Sequence, residues 1–254
     1  MSGPCGSMRT RCSGVLLHPT SLPGRYGIGD LGKAAHRWID TLAAGHQKLW
    51  QVLPLGPTGF ADSPYACFSA FAGNPLLIDL EKLVQEGHLA PTDLADAPPF
   101  PERAVDYGAV IVYKMPLLDK AAQHFLAQAT ADRQAAFETF SSTNAYWLDD
   151  YALFMALKGA HDGAMWNTWE LELVQREPGA LARWRQTLDD AVHAYKYAQF
   201  QFYQQWTALR GYANERGIRI VGDVPIFCAH DSADVWANRD LFTLDADGQP
   251  TYIS

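Results

Sequence analysis

The sequence predicts an α/β fold with an unfinished parallel sheet, and three observations carry that prediction. Residues 13–55 read as strand, helix, strand, and two strands joined through a helix run parallel. Residues 219–227 (RIVGDVPIF) repeat the apolar strand pattern much later in the chain. Between them, from about Val112 to Arg216, apolar residues recur at helical spacing. A (β/α)8 barrel needs eight strands. If the sheet belongs to a barrel, only its first strands are here.

Each element has a local cause. Residues 13–22 (SGVLLHPTSL) carry a short apolar run that ends in turn formers, the pattern of a buried strand leaving into a loop. Over residues 30–44, Leu31, Ala34, Ala35, Trp38 and Leu42 share a helical face, with Asp30 as the expected N-cap and Gly45 just past the end. Residues 48–55 (KLWQVLPL) form the second apolar strand. Residues 56–80 are a long loop rich in turn formers and aromatics, and loops after parallel strands are where α/β proteins place their chemistry. Residues 90–106 read as a Pro- and Asp-rich surface excursion. Asn144 is placed to cap a helix carrying Trp147, Tyr151, Phe154 and Leu157. Pro178 opens a long helical run through Trp184, Leu188, Ala191, Tyr195, Phe202 and Trp206, whose spacing marks core faces. After the third strand, residues 230–237 read as a short helix and residues 245–248 (DADG) as a tight turn rather than a calcium loop.

Composition excludes several function classes. Of 254 residues, 28 are acidic and 20 are Lys or Arg, a net charge of −8; a nucleic-acid binder needs a basic face to neutralise phosphates. No apolar stretch approaches the ~18 residues of a membrane span. Cys5, Cys12, Cys67 and Cys228 are scattered, which fits neither a zinc site nor a disulfide framework. The first eleven residues lack the apolar run of a secretory signal. A soluble protein of a reducing compartment, the cytoplasm, is expected, with no metal or cofactor.

Few constellations could carry chemistry. GIGDLG at 27–32 matches the dinucleotide fingerprint, but a Pro-containing loop separates it from the first strand and the second strand ends without an acid for the ribose. His18, His230 and Asp231 have no metal-ligand spacing. Asp223 is the most suggestive carboxylate: it sits late in an apolar strand, where barrel enzymes gather functional groups, though a loop Asp capping the next helix or pairing an Arg explains it equally. Asp62, Ser63 and Tyr65, flanked by Phe60 and Phe68, put a carboxylate, hydroxyls and aromatic faces on one loop. Carbohydrate sites use that mix, and so do ordinary turns.

These blocks resemble one family. SGVLLHPTSLPG (13–24), YGIGDLG (26–32), WQVLPLGPTG (50–59), DSPY (62–65), SAFAGNP (69–75), YANERGI (212–218), GDVPIF (222–227) and DSADVWA (231–237) are similar to the N-terminal part of glycoside hydrolase family 77, the 4-α-glucanotransferases of the α-amylase clan. The resemblance runs from about residue 11 to the end. It implies an α/β fold that is an incomplete (β/α)8 TIM barrel, first strands only, with a large, mostly helical insertion between the second and third clear strands. The implied organisation is an irregular 1–12, a first βαβ unit with its loop at 13–80, a helical subdomain at 81–216, and the third strand with its loop at 217–254.

The resemblance also implies transfer of α-1,4-glucan segments from a maltooligosaccharide donor to an acceptor sugar by retaining double displacement. No nucleic acid and no membrane take part. Its nucleophilic Asp, acid/base Glu and stabilising Asp lie on later strands, so no catalytic residue is expected within these 254 residues. Substrate-binding groups do carry over: Asp223 to the sugar on the donor side, Tyr65 lining the same subsite, and Ser63 to the adjacent sugar. A secondary glucan groove made by two tyrosines in the family maps to Tyr107 and Phe60, where phenylalanine has lost the hydroxyl. Ala66 stands where Gln is common. A stand-alone glucan-binding module and a hydrolase of the same clan are the alternatives.

Overall fold

The computed structural model describes residues 11–251, apart from Ile226, Ala246 and the side chain of Phe60. Cys5 and most of the expected irregular N-terminus lie outside the described residues. The chain runs β1 (Gly14–Leu16), α1 (Lys33–Ala44), β2 (Leu49–Gln51) and, after a long loop, α2 (Leu80–Gln85). A helical stretch follows: α3 (Tyr107–Gln128), α4 (Ala131–Thr143), α5 (Ala145–Ala160), α6 (Leu171–Val174), α7 (Pro178–Thr187) and α8 (Asp189–Glu215). Then come β3 (Arg219–Val221) and α9 (Ala233–Ala237).

The strands form one parallel sheet in the order β1–β2–β3, with Val15 opposite Trp50 and Trp50 opposite Ile220. A Cβ on Gly14 would lie 2.4 Å from that of Leu49, so the first rung admits only glycine. The expected βαβ unit is present, and the helices α2–α8 connect β2 to β3.

The strands are shorter and barer than the sequence suggests. β3 stops at Val221 instead of reaching Phe227. The carbonyl of Val221 still accepts from Val52 N at 2.9 Å, but Asp223 Oδ1 takes the N–H of Val224 and Pro225 has none to give. The expected burial also fails at the margins. Trp50, on the central strand, is fully buried, whereas Leu16 is 54% and Val221 40% exposed. β1 and β3 are both edges of this sheet, and a parallel strand is buried only where something lies on each face.

Several helix boundaries move for identifiable reasons. α1 starts at Lys33 with Gly32 at the cap position; Asp30 acts earlier, its Oδ1 accepting from Gly32 N at 3.0 Å. α3 starts at Tyr107, ahead of the expected Val112, because Asp106 Oδ1 accepts from Ala109 N at 3.0 Å and caps it. The run opened by Pro178 breaks at Leu188, and Asp189 and Asp190 open α8 with charges that suit a new helix N-terminus. α9 starts at Ala233, not His230, since Ser232 Oγ accepts from Val235 N. Asn144 does precede α5, whose Trp147, Tyr151, Phe154 and Leu157 are all buried. Its side chain, however, bonds Phe140 O and Trp147 Nε1 instead of capping an amide. Residues 245–248 do form a turn, with Asp245 Oδ1 accepting from Asp247 N and Gln249 N.

Two large apolar clusters result. One joins the sheet, α1, α3 and α8; the other joins α5, α6, α7 and α9. α8, roughly 40 Å long at 1.5 Å per residue, contributes to both. Among the described residues, no helix is long and apolar enough to cross a membrane.

Buried polar side chains tie the helices to the loops. Gln199 on α8 clamps Gly73, accepting its N–H at 2.7 Å and donating to its carbonyl at 2.9 Å. Gln205 treats Asp79 in the same way, at 2.8 and 3.4 Å. Lys114, wholly buried on α3, donates to the carbonyls of Leu76 at 2.7 Å and Ile78 at 2.8 Å. Burial pulls the Lys114 ammonium below its ordinary range, while Asp30 and Asp79 oppose that shift. Burial likewise pushes Asp30 up to about 6, with Lys114 opposing. Lys158 on α5 donates to Gly163 O (3.0 Å), Ala164 O (3.2 Å) and Asp231 Oδ2 (2.6 Å), and lies 5.2 Å from the ring centre of Phe68.

Two outcomes follow from these buried charges. A carboxyl raised to about 6 when folded binds more protons than the unfolded one, whose value is about 3.9, so stability falls as pH rises through that window. Asp30→Asn keeps the acceptor for Gly32 N and removes the charge. Urea unfolding should therefore show a gain of about 1–2 kcal/mol at pH 7.5 that closes as pH falls from 6 to 4. Lys158→Met strands the partly buried Asp231 and should cost about 3 kcal/mol, part of it recovered by adding Asp231→Asn. A single variant as stable as the parent would contradict this account of Lys158.

Candidate functional site

Parallel strands place all their C-terminal ends on one edge of the sheet. The loop after β2 (residues 56–80) and the segment after β3 (residues 222–232) leave from that edge. Within the first loop, Gly59 N donates to Ala66 O at 2.7 Å and Phe68 N to Pro57 O at 3.0 Å, so residues 57–68 double back as a tongue. Ser63 sits in its turn: the hydroxyl accepts from Tyr65 N at 3.3 Å and the carbonyl from Ala66 N at 3.1 Å. Tyr65 follows with 44% exposure.

The two loops meet at one bond. Tyr65 OH donates to Asp223 Oδ2 at 2.7 Å, joining residues 158 positions apart, while Asp223 Oδ1 accepts from Val224 N at 2.8 Å. Tyr65 holds its proton more tightly than an ordinary phenol, because ionisation would surrender that bond; slight desolvation and the nearby carboxylate charge add to the effect. Asp223 does not cap α9, a role that Ser232 fills, and among the described residues it pairs with no arginine. Asp223 keeps lone pairs beyond these two bonds and the Tyr65 ring keeps exposed surface, so the pair can accept hydrogen bonds from a hydroxylated ligand and cover an apolar face.

The structure brings Ser63, Tyr65 and Asp223 together. Tyr107 stands elsewhere, half-buried at the start of α3 with Phe100 and Val105 against Ile28, Leu76 and Val110. The Phe60 backbone lies in the turn Phe60–Asp62 at the tongue tip, where Ala61 and Asp62 adopt left-handed φ of 55° and 54°; its side chain lies outside the described atoms. His230 and Asp231 serve the fold: His230 Nε2 donates to Gly248 O at 2.6 Å, and Asp231 holds Lys158. Among the described residues, no group of three His, Cys, Asp or Glu side chains is placed for a metal.

Sequence reasoning missed the groups that hold this site. Asp234 Oδ2 accepts from Ala70 N at 2.7 Å, Ala233 N donates to Phe68 O at 2.8 Å, and Tyr203 OH donates to Phe71 O at 2.6 Å. With Gln199 and Lys158 they pin the site loop along its length. The available signal was a Gln or Lys on an otherwise apolar helical face, which must find a buried partner. His18 stands just past β1 on the same edge. Its Nδ1 has no hydrogen-bond partner among the described residues, and burial lowers the ring to about 4, so it is neutral at pH 7.

The chain matches the model of glycoside hydrolase family 77, described as 4-alpha-glucanotransferase, over residues 17–250. A 4-alpha-glucanotransferase of Synechocystis sp. is 51% identical over 235 residues, 92% of this chain and 46% of that protein. One from Thermus thermophilus is 49% identical over 244 residues, 96% of this chain and 48% of that one. The structure of amylomaltase from Streptococcus agalactiae in complex with acarbose matches with a TM-score of 0.91 at 40% identity, covering 96% of this chain and 49% of that one. The chain thus spans about half the length of these relatives. Matched over nearly all its residues in both sequence and fold, it belongs to glycoside hydrolase family 77, the 4-alpha-glucanotransferase family.

Proposed function

We propose that this chain supplies the donor-side glucan-binding part of a 4-α-glucanotransferase, with Asp223, Tyr65 and Ser63 at its centre. The observation that carries the reading is the 2.7 Å bond between Tyr65 OH and Asp223 Oδ2. It holds a carboxylate toward the strand edge where a sugar's hydroxyls would donate, and it leaves the Tyr65 ring beside the same position. Ser63 serves the adjacent sugar. Tyr107 and the Phe60 position are assigned to a secondary glucan groove, where phenylalanine brings no hydroxyl.

In this reading β1–β3 are the first strands of a (β/α)8 barrel and residues 81–216 are its helical insertion, between the βαβ unit at 13–80 and the strand and loop at 217–254. The reaction is a double displacement. An Asp attacks the anomeric carbon while a Glu protonates the leaving oxygen; the Glu then takes the proton of the acceptor's 4-hydroxyl, which displaces the enzyme carboxylate. We assign neither role to a carboxylate of these 254 residues; what they supply is the grip on the donor. The chemistry needs no metal or nucleotide. Among the described residues the thiols of Cys12, Cys67 and Cys228 are unpaired, and we assign the protein to the cytoplasm.

Titration with maltotriose tests the assignment. Asp223→Asn should weaken binding about tenfold or more and Tyr65→Phe about fivefold, the scale of a charged and a neutral hydrogen bond, with unchanged urea midpoints. Equal affinity in parent and both variants would sink it. Incubated with maltotriose, the parent chain should yield neither glucose nor longer oligosaccharides. A ladder of products would mean that residues read here as binding groups perform the chemistry.

A further inference from the structure

We propose that Phe71 and Tyr146 form a second α-glucan contact, a surface platform distinct from the Tyr65–Asp223 pair and from Tyr107 and Phe60. The proposal rests on the glucan reading above and adds a place on the molecule. Phe71, on the site loop, is 47% exposed, and Tyr146, in the first turn of α5, is 73% exposed. Their ring centres lie 5.8 Å apart at 84°. Two large aromatic side chains thus remain in water side by side, although burying each would be favourable.

The exposure is built rather than slack. Phe71 N donates to Ser69 Oγ at 3.1 Å, and Phe71 O accepts from Tyr203 OH at 2.6 Å. Its ring stacks on Trp147, 6.2 Å between centres and 18° from parallel. Trp147 is itself buried and donates through Nε1 to Asn144 Oδ1 at 3.2 Å. Phe71 is therefore held at its N–H, its carbonyl and one ring flank, and what stays open is aromatic surface in a fixed orientation. Tyr146 adds a second ring and a phenolic hydroxyl.

This chemistry selects the ligand. Neither side chain carries a charge, so the platform suits a neutral molecule with apolar C–H faces and peripheral hydroxyls, which describes a glucan. The long, repeating α-1,4-glucan fits because Phe71 belongs to the same pinned loop as Ser63 and Tyr65. A long glucan has units to spare beyond those held at Tyr65 and Asp223, which a short one lacks.

The test compares a long glucan with a short one. In native gels containing soluble starch, the parent chain should be retarded. Tyr146→Ala should bind starch about 3- to 10-fold more weakly, the scale of one aromatic contact, with maltotriose affinity and urea midpoint unchanged. Tyr146→Trp should keep the retardation, and Asp223→Asn should lose maltotriose affinity first. Starch binding by Tyr146→Ala equal to the parent's overturns the platform. So does a parent that binds maltotriose but not starch, and so does a variant whose only change is reduced self-association. A parent that binds neither sugar overturns the glucan reading together with the platform.

Discussion

An ammonium group with almost no access to water must find acceptors, and the geometry that lets Lys158 do so organises the site edge of this protein. Its acceptors come from two distant segments: the carbonyls of Gly163 and Ala164 just after α5, and the carboxylate of Asp231 after β3. The ring of Phe68, at the base of the tongue, faces the same charge. Desolvating an ammonium and a carboxylate is expensive, and only a full set of partners compensates. The helical stretch, the tongue and the β3 segment are therefore held in one mutual arrangement. The link from Trp166 Nε1 to His230 O at 2.7 Å, and that from His230 to Gly248, extend the same seam.

The helices answer a problem that the sheet leaves open. Loops on the C-terminal edge of a parallel sheet have backbone groups with no ladder to join, and every buried N–H and C=O needs a partner. Here α8 supplies them through Gln199, Tyr203 and Gln205, α3 through Lys114, and α9 through Asp234. Gly73 shows how closely α8 approaches, since a Cβ there would lie 2.0 Å from the ring of Phe202. Ser63, Tyr65, Phe71 and Asp223 thus sit on loops that are splinted rather than loose. Among the described residues no helix side chain hydrogen-bonds the Tyr65–Asp223 pair, but the helices decide where its two halves stand.

Much of this was legible in the residues. The βαβ unit, the helix starts near Asn144 and Pro178, and the turn at Asp245 follow from local chemistry of side chain and backbone, and local chemistry is what a sequence displays. Asp223 and Tyr65 were also visible, as a carboxylate in an apolar run and an aromatic hydroxyl in a turn-rich loop. The errors were of another kind. Asp30 reads as a cap, yet its carboxyl reaches Gly32 N from outside the helix and shares its buried surroundings with Lys114, a group 84 positions away. The apolar run after Gly217 reads as a strand to Phe227, but a ladder ends where its donors are spent, and Asp223 spends the donor of Val224 on itself.

By itself, then, the sequence determined an α/β class and the order of strand, helix, strand, helical stretch and strand, because periodicity, capping and turn preference act over a few residues. Only the tertiary structure decided that Tyr65 and Asp223 share a hydrogen bond, that Gln199 and Lys158 serve the loops, and that Phe71 is fixed with its ring half in water. Those outcomes depend on which distant groups become neighbours once water is excluded. Desolvation makes each such pairing obligatory without writing it into any local pattern.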